Sequence, residues 1–262
     1  MTPRQLTVCF AASLALSACA TRPPASDKDA TEEYEQTNDP LEPTNRALYN
    51  FSDKLDKYTL KPVSEGYTAV VPSPVRNGLH NAFGNLSTPV TLVDDITQGN
   101  GKRAAATFWR FAINTTLGGL GLVDVAKQLG VPAHDTDFGI TLALWGVPSG
   151  PYLFLPFLGP SSPRAAVGYG ADIAANPFTF APRDHGLLTF NAARGAVSAV
   201  DERARFAGDL DHIKAGALDP YATFRSLYRQ NLESQIKAAQ EDRTGVTVPG
   251  GGQPGNPAPA KP

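Results

Sequence analysis

His80, His134, His185 and His212, the adjacent carboxylates Asp94 and Asp95, and the thiols Cys9 and Cys19 are the side chains of this 262-residue chain whose types could do chemistry. The histidines lie far apart, and none stands at metal-ligand spacing from another histidine or a carboxylate, as in H-E-x-x-H. No G-x-S-x-G elbow, P-loop or complete G-x-G-x-x-G occurs, so no motif supplies an activated serine or a phosphate cradle. A triad built from distant residues leaves no motif and stays open. On a helix Asp94 and Asp95 point about 100 degrees apart, which suits a solvated helix end better than a shared acid–base site. Both thiols fall at the extreme N-terminus, so the rest of the chain offers no disulfide framework, thiolate zinc site, iron–sulfur cluster or cysteine nucleophile.

Cys19 is the thiol whose surroundings suggest a fate. Residues 1–5 carry one positive charge, Arg4, and residues 6–16 form an apolar run of secretory length, short of the roughly 20 residues of a membrane span. Leu16-Ser17-Ala18-Cys19 resembles the bacterial lipobox, where small residues admit the signal peptidase and the cysteine sulfur receives a diacylglyceryl group. An ordinary secretory signal with a cysteine at that spot is the alternative. The lipobox resemblance implies that cleavage leaves Cys19 as the acylated first residue. Ala20 follows it in place of the aspartate that resembles an inner-membrane retention signal, so the expected location is the outer membrane, lipid-anchored, on the periplasmic side.

The elements that must position any site come next. Glycine and proline, 24 and 23 residues, make up about 18% of the chain against roughly 12% in average proteins, and charged residues are 18% against about 25%. A net charge of −2 with scattered basic residues gives no stripe for a phosphate backbone, so nucleic acid is not an expected partner. Residues 1–18 read as the signal, 19–38 as a tether too polar to bury a core, 39–242 as the single folded domain, and 243–262 as a proline/glycine-rich tail. Within the domain apolar residues recur mostly at helical spacing. Asp39 can cap and Pro40 open a first helix through Leu48, Phe51, Leu55 and Tyr58, with Pro62 stopping it. Stripes through Val75 and Leu86, through Pro89 and Ile96, and over residues 102–116 predict three more. Ser162-Pro163 opens a fifth that ends before Pro177, Phe190 to Ala204 mark a sixth, and Asp219-Pro220 opens a seventh.

Two uncharged stretches stand out. Residues 138–163 carry no formal charge between Asp137 and Arg164, yet glycines and prolines interrupt them too often for a continuous transmembrane helix. Residues 111–123 are a smaller uncharged run holding Gly118, Gly119 and Gly121. Irregular backbone at membrane depth needs protein or a polar cavity to satisfy its N–H and C=O groups. Loops inside a ring of helices, lining a passage, meet that need; a buried loop pair in a soluble helical protein does so equally. Trp109 and Trp145 suit headgroup-level anchors or a core.

Asn38-Asp39-Pro40-Leu41-Glu42-Pro43 with Asn45-Arg46, then residues 61–99, 110–126 and 137–164, and finally Asp219-Pro220-Tyr221, resemble in order the MlaA (VacJ) family of outer-membrane phospholipid-binding lipoproteins. Thr44 stands where that pattern usually has an aromatic residue and Ile140 where it has a glutamine. The resemblance implies a mainly α, single-domain fold, a ring of amphipathic helices around a Gly/Pro-rich channel region, set in the periplasmic leaflet beside a trimeric porin. It implies that phospholipid astray in the outer leaflet enters the channel and passes to a soluble periplasmic lipid carrier, which preserves lipid asymmetry. Such a protein makes and breaks no bond: no enzyme, no catalytic residue, no metal and no cofactor is expected. The expected lipid-binding residues are Gly118, Gly119, Gly121, Phe138, Gly139, Trp145, Gly146, Gly150, Tyr152 and Pro156, with bulk at Gly146 or Gly150 blocking passage while the fold survives. The rival classes are a structural lipoprotein bracing a porin without moving lipid, and a lipid acyl hydrolase with an activated serine.

Overall fold

The computed structural model describes residue 26 and residues 38–177 and 185–245. The signal segment with Cys19, most of the tether, and residues 246–262 of the tail lie outside the described residues. Helix α1 (Glu42–Leu55) carries a proline in its first turn but no side-chain cap. Asp39 is engaged elsewhere: its carboxylate accepts from Asn45 Nδ2 at 2.7 Å, Arg225 Nη1 at 3.0 Å and the Tyr221 hydroxyl, which welds the opening motif to the C-terminal helix. Pro62 does not end the first helix either. A π-helix (Asp56–Leu60) leads into α2 (Lys61–Val70), and the Lys61 N–H reaches back five residues to the Asp56 carbonyl. The widened turn just ahead of Pro62 is where a proline ring would otherwise meet the carbonyl four residues earlier.

The two stripes expected on either side of Pro89 form one helix, α3 (Ser73–Thr97), with that proline inside it. Pro89 leaves one carbonyl without its helical donor, and in the turn before it the Ser87 and Thr88 hydroxyls donate to the Phe83 and Gly84 carbonyls, both at 3.2 Å. Asn100 caps α4 (Gly101–Thr116), and Asp124 caps the short α5 (Val125–Gln128). The uncharged segment then supplies α6 (Phe138–Leu144) and an antiparallel hairpin, β1 (Leu153–Leu155) and β2 (Gly159–Ser161), with Leu153 opposite Ser161. Ser162-Pro163 opens α7 (Pro163–Ala175), as its capping chemistry predicts. Helices α8 (His185–Arg205) and α9 (Ala207–Gly216) follow, then α10 (Pro220–Thr244), capped by Asp219 and stopped by Gly245 in the left-handed conformation.

Packing closes on itself. Helix α3 lies against α4, α4 against α10, α10 against α6, and α6 against α3. A second circuit runs from α1 through the hairpin to α10, α9, α8 and α2, and α8 also touches α3. Salt bridges fasten the π-helical junction to this circuit: Arg203 to Asp56 at 2.7 Å, Lys214 to Asp53 at 2.7 Å, and Lys61 to Asp211 at 2.9 Å. The fold is thus a mainly helical single domain of ring-like connectivity. Its aromatic core joins Tyr152, Phe154 and Tyr221, with Tyr49 edge-on to Phe154 at 5.6 Å.

Candidate functional site

Polarity is distributed against the habit of water-soluble proteins. Among the described residues the buried hydrophobic side chains are Ala126, Ile140, Tyr152, Phe154, Tyr221 and Ala239, and buried polar or charged ones outnumber them, including Asp94, Asp95, Gln98, Asn100, Arg103, Thr107, Asn114 and Thr141. Large apolar residues lie outside instead: Phe157 is 83% exposed, Leu120 74% and Leu117 71%, with Phe108, Trp109, Leu122, Val123, Trp145 and Val147 also exposed. Each Å² of apolar surface left in water forgoes about 25 cal/mol, so such a surface gains free energy when an apolar solvent or partner covers it. No helix of the described residues is long and apolar enough to cross a membrane. Helices and loop tips lying in one leaflet fit both facts.

The residues expected to meet lipid fall into separate groups. Gly118, Gly119 and Gly121 form the knuckle after α4, held by Gly121 N–H to Asn114 O at 2.8 Å and Val123 N–H to Gly118 O at 3.0 Å, and the knuckle presents Leu117, Leu120, Leu122 and Val123 outward. Phe138 stacks edge-on against Trp145 at 5.7 Å, and the Trp145 indole N–H donates to the Thr97 carbonyl at 3.3 Å. Pro156 sits in the hairpin turn beside exposed Phe157 and Leu158. Tyr152 differs from its expectation, since it is 1% exposed in the aromatic core, against Tyr221 and Tyr228. Gly146 follows α6 at φ 88°, with its N–H on Ala143 O and the Val147 N–H on Leu142 O, the closure of a helix that stops at a left-handed glycine. A side chain there strains the turn whatever lies beyond it, and Gly150, at φ 77° against the Pro163 ring, shares that limit. Bulk at either position therefore tests the fold as well as any passage.

Two cavities adjoin these groups. One of about 240 Å³ lies between α6, the hairpin, α7 and α10, lined by Gly139, Leu155, Leu158, Arg164, Tyr228 and Gln235 among others. The other, about 350 Å³, lies between α3, α4 and the segment before α6, and is polar, with His80, Asn85, Thr88, Arg110, Asn114 and His134 on its walls. Asn81, also on that wall, donates to the Leu122 carbonyl at 3.3 Å, so the polar hollow borders the apolar knuckle. Sequence reasoning missed Arg164, Asn85 and Asn114. Arg164 figured only as the end of an uncharged run, and nothing in the spacing of the two asparagines marks them as wall residues.

Asp94 and Asp95 are 2% and 0% exposed, not a solvated helix end. Asp95 accepts from Thr107 Oγ1 at 2.5 Å and from His134 Nε2 at 2.8 Å. Asp94 is pushed up to about 8, first by burial and then by the like charges of Asp172, Asp137 and Asp95. Burial likewise lifts Asp172 to about 6. Raised carboxyls favour the fold while protonated, so the stability they contribute is full below their unfolded values and drains as pH climbs through their folded ones. The melting temperature should therefore fall from about pH 5 to about pH 8, and Asp94→Asn should flatten that slope in a thermal-melt series. An unchanged slope in the variant would contradict the assignment.

Comparison with known proteins adds independent findings. Residues 37–235 match the model of the MlaA lipoprotein family. The chain is similar to the intermembrane phospholipid transport system lipoprotein MlaA of Haemophilus influenzae, 32% identical over 240 residues that span 90% of this chain and 92% of that one. It is 36% identical over 198 residues to the Escherichia coli K12 protein of the same name, spanning 74% and 76%. A solved structure from work on the structural basis for maintenance of bacterial outer membrane lipid asymmetry superposes with a TM-score of 0.64 at 32% identity, covering 76% of this chain and 98% of that one.

Proposed function

This chain belongs to the MlaA lipoprotein family, and from that premise we propose that it is an outer-membrane lipoprotein that removes mislocalised phospholipid from the outer leaflet and hands it to a soluble periplasmic carrier. The observation that carries this reading is the inverted polarity of the domain, with a polar interior and an apolar exterior of Leu117, Leu120, Trp109, Trp145 and Phe157. A phospholipid leaving one leaflet must keep its headgroup among hydrogen-bonding groups and its tails dry, and polar hollows bordered by apolar loop tips supply both. The uncharged segments 111–123 and 138–163 flank that path in this reading. Their glycines shape the loops, Phe138, Trp145 and Pro156 border the tails, and Tyr152 stiffens the wall from within. A trimeric porin beside the ring would cover part of the apolar exterior. The protein's work is transfer, with no catalytic step.

Anchoring belongs to the same proposal. An acylated Cys19 adds about 0.8 kcal/mol per buried methylene, enough with several chains to hold the domain at the membrane. Cys19→Ala should leave the protein unprocessed or released from the outer membrane on fractionation; recovery of that variant in the outer membrane with normal function would refute the anchor. The transport reading itself is tested by mass spectrometry of the wild-type protein extracted in mild detergent. Glycerophospholipid retained well above that on an unrelated lipoprotein handled identically is expected, and its absence would favour a purely structural brace.

A further inference from the structure

Arg164 differs from the other buried arginines. Arg103 has Asp242 at 2.8 Å and Arg203 has Asp56 at 2.7 Å, whereas Arg164, 9% exposed, has no carboxylate at ion-pair distance among the described residues. Among the described residues its one side-chain hydrogen bond is from Nη1 to the Val147 carbonyl at 2.9 Å, and a guanidinium has five N–H donors to place. Asp137 and Tyr228 are the titratable groups that act on it, and the Asp137 carboxylate is already committed to the Ile140 N–H at 2.7 Å. Arg164 also lies in the first turn of α7, where the helix dipole favours negative charge. A buried cation with no carboxylate at ion-pair distance, placed at the positive end of a helix, loses free energy on both counts. The 240 Å³ cavity it lines is amphipathic: Asn231 and Gln235, one turn apart on α10, add amide donors, Leu155 and Leu158 add an apolar wall, and Asp137 also borders it, its carboxylate held by the Ile140 N–H.

We propose that this cavity seats a phosphate oxyanion, the phosphodiester of a phospholipid headgroup, with Arg164 as its counter-ion and Leu155 and Leu158 against the first carbons of the lipid. A planar guanidinium can give two parallel hydrogen bonds to such a group, which fixes its orientation as well as its charge. The seat rests on the transport reading and specifies which part of the lipid is recognised: the phosphate, common to the headgroup classes, rather than the group beyond it.

The test uses the full-length protein in detergent and three probes: dioleoyl phosphatidylglycerol, dioleoylglycerol, which lacks the phosphate, and inorganic phosphate. The wild type should bind the phospholipid at least about tenfold more tightly than dioleoylglycerol, and more tightly than inorganic phosphate. Arg164→Gln should lose that preference while its affinity for dioleoylglycerol stays the same, and Arg164→Lys should regain part of it. Equal binding of the two lipids by the wild type overturns the seat and leaves transport standing, and this comparison needs no variant to fold. Tighter binding of inorganic phosphate than of phospholipid also overturns it, as does an unchanged preference in a normally melting Arg164→Gln. Binding of neither lipid refutes the transport reading itself.

Discussion

Replacing Asp39 by alanine should lower the unfolding free energy by about 3–5 kcal/mol, the usual cost of removing one partner from a buried charged network. Its carboxylate is the meeting point of Asn45, Tyr221 and Arg225, and hence of the opening motif, α1 and α10. Without it the Tyr221 hydroxyl loses its acceptor, and among the described residues Arg225 keeps a single carboxylate, Glu42 at 3.4 Å. Burial, followed by the bond to Asp39, already holds the Tyr221 hydroxyl well above the ordinary tyrosine range, so that phenol stays a donor throughout the working pH range. At roughly 2–4 °C per kcal/mol for a domain of this size, the melting temperature should fall by about 10 °C. A fall of only about a degree would show that the network is peripheral, in conflict with the packing described above.

Gly168→Val carries the second large effect. A Cβ on Gly168 would lie 2.3 Å from the Gly139 backbone nitrogen and 2.6 Å from its Cα, so any side chain must force α6 and α7 apart. Overpacking of this kind costs about 1–3 kcal/mol and occasionally more, and backbone cannot swing aside as a flexible side chain can. Gly170, two residues on in the same helix, has nothing within 4 Å of its would-be Cβ. Gly170→Ala should stabilise the helix by about 1 kcal/mol at most, through propensity alone. Chemical unfolding of the two variants side by side separates the effects; equal and opposite outcomes from those stated would mean that the helices do not cross at Gly139 and Gly168. Because α6 and α7 both border the 240 Å³ cavity, lipid binding should suffer in Gly168→Val and persist in Gly170→Ala.

Local capping chemistry was the most legible part of the sequence. Ser162-Pro163 and Asp219-Pro220 open helices where their residue types say they should, because a side-chain oxygen three residues ahead of an amide needs no tertiary partner to form its bond. Asp39 has the same chemistry but a stronger demand from Arg225 and Tyr221, which lie far away in the chain. The prolines misled for a related reason. Pro62 and Pro89 each cost a hydrogen bond, yet a π-helical turn precedes the first and hydroxyl back-bonds precede the second, and neither device has a residue pattern readable in advance. Glycine and proline within residues 138–163 did announce irregular backbone. They could not announce that Tyr152 and Phe154 turn inward to the aromatic core while Phe157 points out. Asp94 and Asp95 looked solvated because charge in a sequence usually is; their burial comes from α4, α6 and α7 closing over α3.

Surface-exposed phospholipid on intact cells measures directly whether this chain removes phospholipid from the outer leaflet. Cells lacking the protein should show more aminophospholipid accessible to a membrane-impermeant amine reagent than wild-type cells, with the excess erased by the wild-type chain restored at its native level. An outer leaflet whose accessible phospholipid is the same with and without the protein would contradict the account.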